Sequence, residues 1–496
     1  LKYLLEKEID KMPRNPTLRL NLFLLFIGIG LIVVGIFLVS SNVAVAQESG
    51  DMVRGGLLYD TWWVVEDADI EMEGGEEPEH GLDEMAAAPE GDHPLWSTQT
   101  TNTRSGADTW RCKECHGWDY KGADGAYGSG SHLTGFPGVF ANAGQPVADI
   151  VAALSGSINA DHDFSMYMDK DSLLDLATFI SEALIDTSTL LNTDNMSAGD
   201  TANGEVLFEQ VCVFCHGPAG NAINFSSLDD PEFIGHLAAD NPWEFIHKVR
   251  FGQPGWPMPS GIGNGWSDSD VADVLAYVEG FTTEPALSGG GPLYDKWWEA
   301  LGMEAPEGDH PLWASQDTNT RSGTDTWRCK ECHGWDYKGT DGVYGSGSHF
   351  TGFPNVLGTE DVLAWLNGSM NPEHDFSIYM DETALNALVT FLQTEIADVS
   401  MYINDDKTVN GDPRFGRDLF TGTCASCHGV DGRHMNFGSE EEPEYIGTLA
   451  VDNPWEFIHK ASFGQPGEPM PAGLALGWEL QDIADLLAYA QTLPAD

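Results

Sequence analysis

Cys112-Lys113-Glu114-Cys115-His116 recurs letter for letter as Cys329-Lys330-Glu331-Cys332-His333. The same frame returns as Cys212-Val213-Phe214-Cys215-His216 and as Cys424-Ala425-Ser426-Cys427-His428, and the four stretches together use all 8 cysteines. In C-x-x-C two thiols share one short turn, so both reach the vinyl groups of a single haem and close thioethers, and the adjoining His lies under the iron. Zinc would have to combine ligands from distant motifs and would leave each adjacent His without a role. Disulfides, the default for exported cysteines, leave the same histidines unexplained. The spacing therefore predicts four covalently bound haem c groups, with His116, His216, His333 and His428 as proximal iron ligands.

Working outward from the motifs, the chain reads as a tandem duplication. Residues 101–132 recur at 318–349 with three changes, an offset of 217, and residues 240–259 recur at 452–471 with three changes, an offset of 212. The order is A-B-A′-B′ with one motif per unit, and Thr282–Gly291 (TTEPALSGGG) has linker composition at the midpoint. GGLLYDTWW at 55–63 returns as GGPLYDKWW at 290–298, an offset of 235, so the first copy carries 18 extra residues. They fall in the acidic stretch Glu66–Asp92, which has no Lys or Arg and reads as a solvated loop.

The B units resemble class I cytochrome c domains over their whole length. Gly204-Glu-Val-Leu207-Phe208 leads into Cys212, and Gly416-Arg-Asp-Leu419-Phe420 leads into Cys424. This is similar to the family's first helix, where a glycine permits close helix crossing and an aromatic packs on the haem edge. A Gly/Pro-rich loop with Met258-Pro259 or Met470-Pro471 follows, then an amphipathic helix over Asp268–Phe281 or Leu480–Leu493. The resemblance implies that Met258 and Met470 are the distal iron ligands, and each lies 42 residues after its proximal His.

The A units resemble the same family less closely. Gly56-Leu-Leu-Tyr59 and Gly291-Pro-Leu-Tyr294 are similar to the first-helix signature, but an insertion separates each from its motif. Closing helices are expected near Asp171–Ala183 and Glu382–Thr394. Met168 and Met380 stand just before them, 52 and 47 residues after their proximal histidines, and the resemblance implies that they are the distal ligands. Met166 competes in the first copy, where its counterpart is Ile378, and His162, His374, His132 and His349 are rival ligands in both copies.

The fold implied is mostly α, with four cytochrome c-like haem domains in an A-B-A′-B′ tandem duplication after an N-terminal apolar segment. The boundaries are 1–46 for that segment, 47–190 for A, 191–285 for B, 286–400 for A′ and 401–496 for B′. Small units of this kind need no large core, because the porphyrin is itself the apolar centre. Arg14 and Arg19 precede an apolar run from Leu22 to Val39, and Ala44-Val45-Ala46 offers a cleavage site. The segment reads equally as a signal peptide and as a membrane anchor, with Met12 a candidate initiator. Either reading exports the haem-binding units to the periplasm or beyond.

A net charge of −55 excludes nucleic acid as a partner and favours redox proteins with basic docking surfaces. With 16 Trp and 42% hydrophobic residues the chain is nonetheless built to fold. The expected function is electron transfer between redox partners outside the cytoplasm, without catalysis. The alternatives are a multihaem oxidoreductase with one open haem site and a docking redox subunit of a membrane complex.

Overall fold

The computed structural model describes residues 50–74, 88–439 and 442–495; the N-terminal apolar run and residues 75–87 of the acidic stretch lie outside them, while residues 66–74, expected as loop, continue the first helix. Among the described residues there is no β-strand, only five isolated bridges, so the architecture is mostly α. No helix among them is long and apolar enough to cross a membrane.

Unit A contributes α1 (Met52–Gly74), α2 (Cys112–His116), α3 (Val147–Leu154) and α4 (Lys170–Thr178), the last running on into a π turn at Phe179–Ala183. Unit B contributes α5 (Thr201–Val211), α6 (Val213–His216), α7 (Ile234–Asp240), α8 (Pro242–Phe251) and α9 (Asp268–Val278). Unit A′ repeats A with α10 (Gly290–Ala300), α11 (Cys329–His333), α12 (Val362–Leu366) and α13 (Glu382–Thr390), again followed by a π turn. Unit B′ repeats B with α14 (Pro413–Leu419), α15 (Ala425–His428), α16 (Ile446–Asp452), α17 (Pro454–Phe463) and α18 (Leu480–Ala490).

Polar side chains start several of these helices. Asp169 accepts from the Ser172 amide at 2.7 Å and Asp381 from Ala384 at 2.9 Å, while Ser267 and Asp270 close a reciprocal capping box on α9. Each such cap contributes about 0.5–2 kcal/mol. The expected closing helices are therefore present, ending a few residues early or passing into a π turn.

First and last helices of every unit cross with backbone nearly touching. A Cβ on Gly204 would sit 1.9 Å from the Asp273 carbonyl oxygen, and one on Gly416 would sit 1.8 Å from that of Asp485. In the A units the pair Gly55-Gly56 divides the task. Gly55 admits α4, its Cβ position lying 2.2 Å from the Asp175 carbonyl oxygen, while Gly56 admits the Phe251 ring of α8 from unit B at 2.3 Å. Gly290 and Gly291 do the same against Ala387 and Phe463. The glycine matched to the family signature from sequence thus joins A to B, and its neighbour makes the crossing inside the unit.

The buried apolar side chains fall into four clusters that follow the sequence units. Phe251 of B belongs to the A cluster and Phe463 of B′ to the A′ cluster, so each pair shares a core boundary.

A buried polar network closes the same boundary. Helix α1 kinks at Thr61 and α10 at Lys296, freeing the carbonyls of Asp60 and Asp295 to accept from Arg111 Nε at 3.1 Å and Arg328 Nε at 3.3 Å. The Asp60 carboxylate pairs with Arg111 and, at 2.8 Å, with Lys248 of unit B. Asp295 pairs likewise with Arg328 and with Lys460 at 2.9 Å. Burial alone would raise both carboxyls, but the paired cations hold them well below the usual carboxylate range.

Candidate haem-binding sites

Each C-x-x-C-H motif forms a single helical turn, as two thiols that must face one macrocycle require. The turn ends on a glycine in the left-handed region, Gly117, Gly217, Gly334 or Gly429, with φ of 75°, 75°, 77° and 75°. Side chains larger than hydrogen are disfavoured there, and the reversal carries the chain away from the histidine. All eight cysteines and all four proximal histidines are half-buried. Burial pushes Cys112, Cys115, Cys212, Cys329 and Cys424 up to about 12 and moves the other three thiols upward too. No group of three or more His, Cys, Asp or Glu among the described residues is arranged to hold a zinc ion. Burial lowers the four histidines to about 4, which keeps each imidazole neutral and able to donate a lone pair to iron. The donor set at each motif fits a covalently attached haem.

Units A and B hold their proximal rings differently. His116 Nδ1–H donates to the Pro137 carbonyl at 2.6 Å and His333 Nδ1–H to Pro354 at 2.8 Å, so each ring presents Nε2 as the free donor. His216 Nδ1 and His428 Nδ1 are buried without a hydrogen-bond partner.

The expected distal residues separate into two kinds. Met258 and Met470 lie half-buried in the loops after α8 and α17, with their amides bonded two residues back to Trp256 and Glu468 at 2.8 Å each. Met168 and Met380 are 4% and 2% exposed and sit within the hydrophobic clusters of A and A′. Met166 is 81% exposed. His162 and His374 are half-buried, and their rings lie 6.1 and 6.4 Å from those of His116 and His333.

His132 and His349 are engaged elsewhere. They stack on Tyr127 and Tyr344 and face Glu114 and Glu331, the fully buried glutamates of the two C-K-E-C-H motifs. Burial would raise Glu114, but His132, Lys113 and Arg104 hold it at about 2. The Lys-Glu pair inside each A motif is therefore part of the packing under the haem turn.

Two further pairs of histidines emerge only in three dimensions. His93 and His310, from the repeated GDHPLW, are buried against Trp110 and Trp327, each accepting an amide N–H on Nδ1 at 3.2 Å. That bond places the proton on Nε2 and leaves no lone pair for iron. His247 and His459, from the repeated NPWEFIHK, are 1% exposed and bridge the units. Nε2–H of His247 donates to the Gly56 carbonyl at 3.0 Å, and Nδ1 accepts from Tyr120 Oη at 2.9 Å. His459 repeats this with Gly291 at 3.1 Å and Tyr337 at 2.8 Å. Tyr120 and Tyr337 hold φ of 66° and 63°, an unfavourable region for a tyrosine that this bond helps to retain. The available signal was recurrence of both motifs, which by itself does not separate packing from ligation.

Across the middle of the chain the B and B′ motifs face each other. A Cβ on Gly217, next to His216, would lie 3.1 Å from the Ala475 carbonyl oxygen of B′, and one on Gly422 would lie 3.7 Å from Phe214 of B. A pocket of about 190 Å³ between them is lined by Val213, Phe214, Leu419, Gly422, Leu476 and Trp478 among others.

Comparison with known proteins gives two family matches, both in the B units. Residues 199–278 match the family described as cytochrome c oxidase, cbb3-type, subunit III, and residues 414–494 match cytochrome c. No curated protein matches the chain. Among solved structures, the as-isolated form of thiosulfate dehydrogenase (TsdBA) from Marichromatium purpuratum aligns at 16% identity over 76% of this chain and 86% of that chain. Its TM-score is 0.17, which carries neither fold nor activity across.

Proposed function

Because this chain is a multihaem c-type cytochrome, we propose that it is a tetrahaem electron conduit, one haem per unit, working outside the cytoplasm between redox proteins. The observation that carries this reading is the fourfold haem turn. Each copy has two thiols, a neutral imidazole and a left-handed glycine, and each stands at the edge of its own hydrophobic cluster. When bound, the haem supplies the one-electron chemistry. The protein holds the irons at set positions and excludes water from them.

The arrangement of units supports passage of electrons along the chain. A is tied to B, and A′ to B′, through the buried Asp60 and Asp295 networks and through His247 and His459. The facing B and B′ motifs bring the two halves together at the centre, where Leu228 of B also packs against the A′ cluster. A surface carrying −55 favours donors and acceptors with basic docking faces. Export by the N-terminal segment accords with covalent attachment of every haem, since a bound cofactor is not lost by dilution.

Coulometric titration of the holoprotein, with the intact mass measured in parallel, tests the reading. Four electrons and four haem masses per chain are expected, and replacing Cys212 and Cys215 by Ala removes one of each. Fewer than four covalent haems on the unaltered chain refutes it.

A further inference from the structure

We propose that the A and A′ haems are bis-histidine, with His162 and His374 as distal iron ligands in place of the expected Met168 and Met380. The inference rests on haem attachment at Cys112/Cys115 and Cys329/Cys332 and concerns what stands on the other face of those haems.

Metal–imidazole bonds run about 2.0–2.1 Å, so two in line across one ion set the ligating nitrogens about 4 Å apart and the ring centres about 6 Å apart. The observed separations are 6.1 Å for His116–His162 and 6.4 Å for His333–His374, with ring planes 72° and 71° apart. His93 and His310 lie as near to His162 and His374, at 6.2 and 6.0 Å, but each accepts an amide N–H on Nδ1 and has no lone pair for iron. Rings also approach the B-unit histidines, Phe225 at 6.0 Å and Phe437 at 5.8 Å, but these come from the loop directly after the motif and carry no donor atom. His162 and His374 come from the loop between the last two helices of their unit, the same position in which B and B′ offer Met258 and Met470.

A side chain that meets haem keeps part of its surface open in the protein alone, and the proximal histidines, Met258 and Met470 all do. His162 and His374 share this property. Met168 and Met380 do not: at 4% and 2% exposed their surfaces are already taken up by apolar neighbours. Bringing either sulfur to iron would open a hole in its core.

His374 Nδ1–H donates to the Trp365 carbonyl at 3.2 Å, so Nε2 carries the free lone pair, as His333 does through Pro354. The loop is held in that pose. Asn159 and Asn371 cap the short turns Ala160–His162 and Pro372–His374, and Phe164 and Phe376 anchor the next turn in the core, 5.0 Å from the histidine rings.

Ligation then sorts the four haems by potential. Thioether ligands favour reduced iron relative to paired imidazoles, and the Nδ1–H bonds of the A-unit rings strengthen their donation. The A and A′ haems lie lower than those of B and B′, so electrons collect on B and B′.

The test is ligand-sensitive spectroscopy of the oxidised holoprotein, with haem number checked by mass. Sulfur-to-iron charge transfer is expected for two of four haems, unchanged in Met168→Leu. His162→Met should raise it to three and move one potential upward. Charge transfer from all four haems, falling by a quarter in Met168→Leu, overturns the proposal. Since Met168→Leu conserves volume, the result stands even if the histidine variant folds poorly. A shortfall in haem mass would strike the tetrahaem reading, whereas four haems with four sulfur ligands would strike only this one.

Discussion

Replacing His247 by Phe keeps the ring's area in the A–B boundary and removes both of its hydrogen bonds. The Gly56 carbonyl loses its donor from unit B and the Tyr120 hydroxyl keeps only Arg250 beside it, at about 0.5–1.5 kcal/mol for each bond removed, so the variant should lose about 1–3 kcal/mol. The same residue gives a pH signature. Burial, aided by Lys248 and Arg250 and opposed by Asp60, drives His247 down to about 3 in the folded chain, against roughly 6.5 when unfolded. Below pH 6.5 the unfolded state binds the proton and the folded state does not. Its stabilising contribution is therefore complete above 6.5 and declines as pH falls towards 3, by about 2 kcal/mol at pH 5. Guanidinium unfolding of the holoprotein at pH 7.5 and pH 5, with and without the substitution, measures both effects. His459→Phe is an internal replicate, and the two costs should add because the bridges lie in different halves. A His247→Phe protein within about 0.5 kcal/mol of the parent, with the same loss between the two pH values, would refute the reasoning.

Lys248→Met should cost about 3 kcal/mol, the lower end for breaking a buried ion pair because Arg111 remains with Asp60, and calorimetry should place the loss in the first half of the chain. Gly204→Ala puts a methyl 1.9 Å from the Asp273 carbonyl oxygen and should destabilise unit B by about 1–3 kcal/mol, against the gain of about 1 kcal/mol normal for this exchange in a helix. An unfolding midpoint that rises would show that the helices do not cross there. Reduction by a basic redox protein should slow steeply with ionic strength, since exposed charges are screened beyond about 10 Å at 0.1 M salt. A stopped-flow rate that is flat from low to high salt would discard electrostatic steering.

Legibility differed between the two kinds of unit. In B, the first-helix glycine, the Met-Pro loop and the last helix were all readable, because caps, glycine crossings and apolar periodicity are local signals, and the structure has each where the pattern put it. In A, an insertion separates the first-helix signature from the motif, and several histidines recur together. Recurrence alone left His93, His132 and His162 equivalent. Their environments separate them: His93 accepts an amide N–H, His132 stacks on Tyr127 over Glu114, and His162 faces His116.

The haem attachment points are complete within five residues, and they were legible in the chain before any folding, together with the duplication and the mostly helical class. Covalent chemistry on one helical turn requires nothing from distant parts of the chain. What crosses the other face of the A haems is a different matter. His162 and Met168 lie six residues apart in one loop, and only the packing of Phe164 and Met168 into the core decides which side chain remains free to reach the iron. Likewise, nothing in NPWEFIHK announces that its histidine will bridge to Gly56 and Tyr120, because both partners belong to another unit more than a hundred residues earlier. Choices made by long-range burial become visible only when the chain is folded.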